Sequence, residues 1–183
     1  MGSICTRSED MGVSSYMPSK ILIAGLSGAG KTTFLYKLKT GNVALMEPTV
    51  DFNIETVSYR NFSFTMWDIG GQTVTPELYK YHVHEIAAII YVVDSKASDR
   101  LDEARRQLDM VLSNDEISGI PLLVLANKHD LPGATSVELL CEALTLRHQT
   151  RPWHIQPTSA VTSQGIDEGM DWLLTELTRK PSI

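Results

Sequence analysis

The sequence predicts an α/β fold: a mostly parallel sheet with helices on both faces. Three observations carry that prediction. Short and almost wholly apolar runs, "KILIAG", "AAIIYVVD" and "PLLVLAN", recur along the chain. Strands that apolar are buried on both faces, as parallel strands are. Segments with helical spacing lie between them, so strand and helix alternate. Finally, the glycine-rich stretch "GLSGAGKTT" leads from the first apolar run into the first helical one.

Taken in order, residues 1–19, "MGSICTRSEDMGVSSYMPS", are rich in Ser and Gly, carry mixed charge and lack helical period. They read as a mobile arm ahead of a single domain over 20–183. "KILIAG" is a strand, and "KTTFLYKLKTG" a helix closed by Gly41. Two extended runs, Phe52–Tyr59 and Phe62–Asp68, are separated by Arg60 and Asn61 alone, which makes them an antiparallel hairpin. "AAIIYVVD" is the next buried strand. A helix over Asp99–Leu112 follows, with Leu101, Ala104, Leu108 and Leu112 on one face. "PLLVLAN" is a further buried strand. A helix over Ser136–Leu146, a short strand at Trp153–Gln156 and a helix over Gly165–Thr178 complete the chain. The last helix turns Ile166, Met170, Leu173, Leu174 and Leu177 inward. Six strands result, one of them antiparallel.

The chain has 183 residues, enough to bury roughly 70% of its unfolded surface in one domain. Its net charge of −6, with no basic cluster beyond Arg105-Arg106 and Arg179-Lys180, argues against a nucleic-acid partner. Two cysteines, Cys5 and Cys141, form no disulfide framework and fit a reducing compartment. The longest apolar run, Ile86–Val93, is far shorter than the ~20 residues of a membrane-spanning helix. The expectation is a soluble protein unless a lipid anchors it. The histidines show no metal-ligand spacing.

"GLSGAGKTT" fits G-x-x-x-x-G-K-[ST], the spacing of a phosphate-binding loop, and it sits between strand and helix as that mechanism needs. Gly25, Gly28 and Gly30 allow the turn that aims successive N–H groups at phosphate oxygens. The helix N-terminus adds partial positive charge. Ser27, Gly28, Ala29, Gly30, Lys31, Thr32 and Thr33 are the candidate phosphate contacts. Lys31 would reach the β- and γ-phosphates, and the Thr32 hydroxyl would take Mg²⁺. This loop alone does not choose between ATP and GTP.

"NKHD", Asn127–Asp130, follows the third buried strand at its carboxyl end, where open parallel sheets bind ligands. A carboxylate only accepts hydrogen bonds, and guanine offers N1–H and an N2 amine side by side. Adenine lacks the amine and turns an acceptor toward the same oxygens. Such a site rejects the wrong base by ~10⁴ or more. Asp130 would select guanine, Asn127 brace the pocket, and the Lys128 stem lie over the base. "TSA", with Ser159 and Ala160, would aim the Ala160 N–H at guanine O6.

"WDIGGQ" at 67–72 supplies Asp68 to hold Mg²⁺ through water, Gly71 to meet a γ-phosphate, and Gln72 to orient an attacking water. "PTVDFNIE" supplies Thr49 as a second Mg²⁺ ligand. With Lys31 and Mg²⁺ neutralising developing charge, Gln72 and Lys31 are the candidate catalytic groups. No Arg or Lys lies between Thr40 and Asp51, so that switch carries no arginine finger in cis. Hydrolysis is then slow, and a partner's Arg would add ~10³–10⁵.

The order "GLSGAGKTT … PTVDFNIETV … WDIGGQ … NKHDLP … TSA" resembles the small GTPases of the ADP-ribosylation factor (Arf) and Arf-like family, over about 20–177. The resemblance implies a P-loop G domain, a GTP/GDP switch whose hairpin slides between states, and recruitment to membranes to bind effectors, as in vesicle trafficking. It also implies exchange factors and GTPase-activating proteins as partners, a monomer, and a cytoplasmic protein reversibly associated with Golgi, other endomembranes or the plasma membrane. Three departures stand out: Asp51 where relatives commonly carry Gly, Ser27 where many carry Asp, and His82 beside Tyr81 where an aromatic triad with Phe52 and Trp67 would have a Tyr. None removes a phosphate, Mg²⁺ or base contact. Phe52, Trp67, Tyr81 and His82 are the candidate effector surface. Trp67 alternates with Ser63 and Thr65 on the polar face of its strand, either as a partner patch or as a rim aromatic under a neighbouring helix.

"MGSICT" fits the N-myristoylation pattern at Gly2. One myristoyl chain binds membrane only marginally, so a second signal is expected. Cys5 is either that signal, by palmitoylation, or a free thiol. Two other readings remain open on sequence alone. A small ATP-dependent kinase would leave "NKHD" and "TSA" without a purpose. A non-cycling module would hold nucleotide without turning over.

Overall fold

The computed structural model describes residues 19–41, 52–60, 62–69 and 85–179, without the side chains of Phe52, Asn53, Phe62, Ser63, Trp67, Asp68 and Ile69. Six strands form one sheet: β1 (Ser19–Ala24), β2 (Phe52–Tyr59), β3 (Phe62–Ile69), β4 (Ile86–Asp94), β5 (Leu122–Asn127) and β6 (Trp153–Pro157). Their order across the sheet is β2-β3-β1-β4-β5-β6. β2 and β3 pair antiparallel as the hairpin, and every other neighbouring pair is parallel. Among the described residues, four helices cover the sheet: α1 (Lys31–Thr40), α2 (Leu101–Leu112), α3 (Val137–Ala143) and α4 (Ile166–Thr178).

The two-residue period of a strand divides the core into two halves. Leu22 and Ala24 of β1 join Tyr91, Leu122 and Val124 in a cluster that takes Leu108 of α2 and Leu140 of α3. Ile21 and Ile23 point the other way and pack with Phe34 of α1 and Met170 and Leu173 of α4. Each Leu, Ile, Val, Phe or Met among these, fully removed from water, contributes ~1.5–3 kcal/mol. Tyr91, buried in the first cluster, satisfies its hydroxyl by donating to Ala104 O at 2.7 Å.

The hairpin is tied to both flanking helices. Lys39 of α1 pairs with Glu55. At the turn, Tyr59 Oη donates to Asp167 Oδ1 of α4 at 2.8 Å, and Arg60 pairs with Asp171 at 2.7 Å. Burial first, then the Asp167 carboxylate, pushes the Tyr59 phenol up to about 12.

Boundaries differ from the sequence reading in three helices. The helix expected from Asp99 begins at Leu101, after a 3₁₀ turn over Ser98–Arg100. The helix expected over Ser136–Leu146 ends at Ala143, because Thr145 takes a left-handed φ of 52° and starts a separate 3₁₀ turn over Leu146–His148. Ser136 is its N-cap, accepting from Leu139 N. Gly165 is likewise the left-handed N-cap of α4 rather than its first residue.

Candidate nucleotide site

The carboxyl ends of β1, β4 and β5 meet at one edge of the sheet, and the loop 25–30 crosses it before α1 begins. Gly25 has φ 140°, and a Cβ there would strike the Val92 carbonyl of β4. Gly30 has φ 99°, and a Cβ there would strike the Asn127 side-chain amide. Only glycine allows both the turn and that close approach. Lys31, 5% exposed, folds its ammonium back over the loop and donates to Gly25 O at 2.9 Å and Leu26 O at 3.1 Å.

Asn127 holds the site together. Its Nδ2 donates to Ala29 O at 2.8 Å, and its Oδ1 accepts from Ala160 N at 2.9 Å. One side chain, 3% exposed, thus joins the phosphate loop to the "TSA" segment after β6. The Ala160 N–H, which the sequence offers to guanine O6, meets Asn127 Oδ1 in this structure. A buried amide must satisfy both its donor and its acceptor, and this is the acceptor's partner.

Gly30, Thr33, Asn127, Lys128, Asp130, Ser159 and Ala160 line one open cleft, with Leu131 and Val161 at its mouth. Asp130 is exposed, and its carboxylate has no hydrogen bond or ion pair among the described residues. Acceptor oxygens are therefore presented to the cleft. Lys128, at a left-handed φ of 61°, sends its ammonium to Asp94 Oδ2 at 2.6 Å. Its aliphatic stem is thereby fixed beside the cleft. Ser159 is buried and accepts from Thr162 N, which shapes the turn after β6.

Two residues escaped the sequence reading. Asp94, which anchors Lys128 and accepts from Lys96 N at 2.9 Å, ends β4 at the same carboxyl edge, a position that marks it in retrospect. Arg100, at the N-terminus of α2, donates to Ser27 O at 3.0 Å. Nothing local in the sequence points across that separation.

Asp68 lies on β3 opposite Ile23 of β1, so its backbone reaches the same edge. Backbone positions 52 and 67 share a hairpin face with Ile54, which is 43% exposed and sits opposite Trp67. Thr49, Asp51, Gly71, Gln72, Tyr81 and His82, like Gly2 and Cys5 of the arm, lie outside the described residues.

A glycine loop opening a helix at a strand's carboxyl end, stapled to a second loop that presents a carboxylate, defines a P-loop nucleotide-binding protein. Comparison with known proteins narrows the class. The model of the ADP-ribosylation factor family matches residues 9–177. The chain is 46% identical over 163 residues to ADP-ribosylation factor K of Dictyostelium discoideum, covering 88% of this chain and 87% of that protein. To ADP-ribosylation factor J of the same organism it is 44% identical, with the same coverage. The structure of the Arl6 BBS3 small GTPase from Trypanosoma brucei, with bound nucleotide analogue GppNp, superposes with a TM-score of 0.80 at 29% identity. That match covers 89% of this chain and 99% of the other. The chain belongs to the ADP-ribosylation factor family of small GTPases, GTP hydrolases that act as GTP/GDP switches. No helix among the described residues is long and apolar enough to cross a membrane.

Proposed function

We propose that this GTPase selects guanine through Asp130, works with Mg²⁺, hydrolyses GTP slowly without a partner, and signals from a membrane to which its N-terminus is acylated. One observation carries the base assignment: Asn127 joins the phosphate loop to the "TSA" segment while Asp130, unpaired among the described residues, lines the cleft they enclose. The acceptor-only carboxylate meets guanine's paired donors, and the fixed Lys128 stem covers a ring face. Ser159 and Ala160 close the opposite side.

The glycine cradle fits a phosphate chain, since the positions a Cβ would fill are those where the loop approaches β4 and Asn127. Ser27, Gly28, Ala29 and Gly30 would offer backbone N–H groups there. Lys31, Thr32 and Thr33 lead into the helix, and Gly71 would add an N–H. Thr32, Thr49 and Asp68 are the residues to hold Mg²⁺, whose charge would neutralise phosphate oxygens. Gln72 would orient water, and Lys31 would add positive charge where the transition state develops it. Gly2 and Cys5 are the acylation candidates. Partners are then an exchange factor, a GTPase-activating protein, and effectors reading the face with Phe52, Ile54 and Trp67, together with Tyr81 and His82. The protein would act as a monomer between the cytoplasm and endomembranes in vesicle trafficking, with no nucleic-acid partner.

Single-turnover hydrolysis after loading with Mg²⁺ and GTP, with ATP as competitor, tests this. Slow conversion to GDP that excess ATP leaves unaffected is the expected result. Displacement by ATP refutes the base assignment, and absent turnover makes the protein a non-cycling module.

A further inference from the structure

We propose that Arg100 is a positioning residue for nucleotide retention, which locks the Ser27–Gly28 peptide plane so that the Gly28 N–H faces the phosphates. The inference rests on the phosphate-loop reading above. A trans peptide is planar, with its C=O and N–H pointing in opposite directions. Whatever holds the Ser27 carbonyl on one side of the loop therefore aims the Gly28 N–H toward the other.

That plane needs an external hold. Gly28 has φ 80°, and a Cβ built on it would meet nothing within 4 Å. Neither side-chain bulk nor packing fixes it, and glycine readily rotates. The next carbonyl but one, Ala29 O, is held by Asn127. Ser27 O has its own clamp: Arg100 Nη1 donates to it at 3.0 Å from 73 residues away. Ser27 brings no carboxylate, so the guanidinium addresses the backbone itself.

Arg100 is itself oriented. Its Nε donates to Glu103 Oε2 at 2.9 Å, one turn into α2. This contact holds the Glu103 carboxyl below its usual range and raises the guanidinium further. A planar fork with fixed donors can serve both partners at once, which a lysine ammonium cannot do with the same geometry. The N-cap residue of α2 thereby reaches across to set one donor of the phosphate cradle.

The test is the release rate of N-methylanthraniloyl-GDP from the full chain, chased with unlabelled GDP. Because Arg100 is 39% exposed, its contact is discounted for solvent, and Arg100→Ala should speed release about fivefold. The thermal midpoint and the preference for GTP over ATP should hold. Arg100→Lys, which keeps a donor for the Ser27 carbonyl, should recover part of the retention. Release at the parent rate in Arg100→Ala overturns the proposal. So does acceleration with a fallen thermal midpoint, or acceleration that Arg100→Lys leaves unrelieved, since the effect then belongs to global stability or to Glu103. A parent chain that fails to bind the labelled GDP refutes the phosphate-loop reading instead, which separates the two failures.

Discussion

Replacing Asn127 with Ala removes both ends of the bridge between the phosphate loop and the "TSA" segment. Ala29 O loses its donor at 2.8 Å and Ala160 N its acceptor at 2.9 Å. Ala29 is 2% and Ala160 4% exposed, so water cannot readily replace either partner. An orphaned buried polar group costs ~1–3 kcal/mol, and two of them together ~2–6 kcal/mol. For a domain of this size each kcal/mol lowers the melting midpoint by ~2–4 °C, so the expected fall is roughly 4–24 °C. The assay is thermal denaturation followed by circular dichroism on nucleotide-stripped protein, so that lost ligand binding does not enter. Asn114→Ala is the control. Asn114 caps a 3₁₀ turn over Asp115–Ile117 with a single bond to Glu116 N, and its loss should cost only ~0.5–1 kcal/mol. Equal midpoints for the two variants would refute the argument that Asn127 is a structural staple as well as a site residue.

Asp130→Ala should reduce the preference for GTP over ATP by ~100-fold or more, because the paired acceptors vanish; competition binding reads it, and an unchanged ratio contradicts the assignment. Gln72→Leu should slow single-turnover hydrolysis by roughly 100-fold while leaving GTP affinity alone, and unchanged turnover refutes its role. Tyr59, with its phenol pushed up to about 12, keeps its proton in the folded chain where the unfolded chain loses it above 10. Its contribution is therefore full below pH ~10 and drains away toward ~12. Urea midpoints at pH 9 and 11 should fall more in the parent than in Tyr59→Phe, and parallel falls would show that the hairpin contact to Asp167 carries no such linkage.

The sheet was legible because its signals are local. Ile21 to Ala24 and Leu122 to Asn127 are buried along their whole length, and so dense an apolar run can only be a central strand. The hairpin followed from two extended runs too close together for a crossover. The phosphate loop and "NKHD" were legible because their chemistry demands fixed spacing. What escaped depends on backbone torsion or on distance. Thr145 is not a residue that announces a left-handed turn, so the end of α3 was placed too late. The clamp of Arg100 on Ser27 and the pairing of Lys128 with Asp94 exist only because β1, β4 and β5 bring remote loops to one edge. The contact of the Ala160 amide with Asn127 Oδ1 was not legible either, because no local signal shows that this acceptor is met within the protein.

The most direct test of the central claim is to denature the freshly purified chain and identify the released nucleotide by chromatography. GDP or GTP in near-stoichiometric amount is the predicted result, for a cleft in which Asp130 faces paired donors. Release of adenine nucleotide would contradict it, and would mean that the family's fold here serves a different ligand.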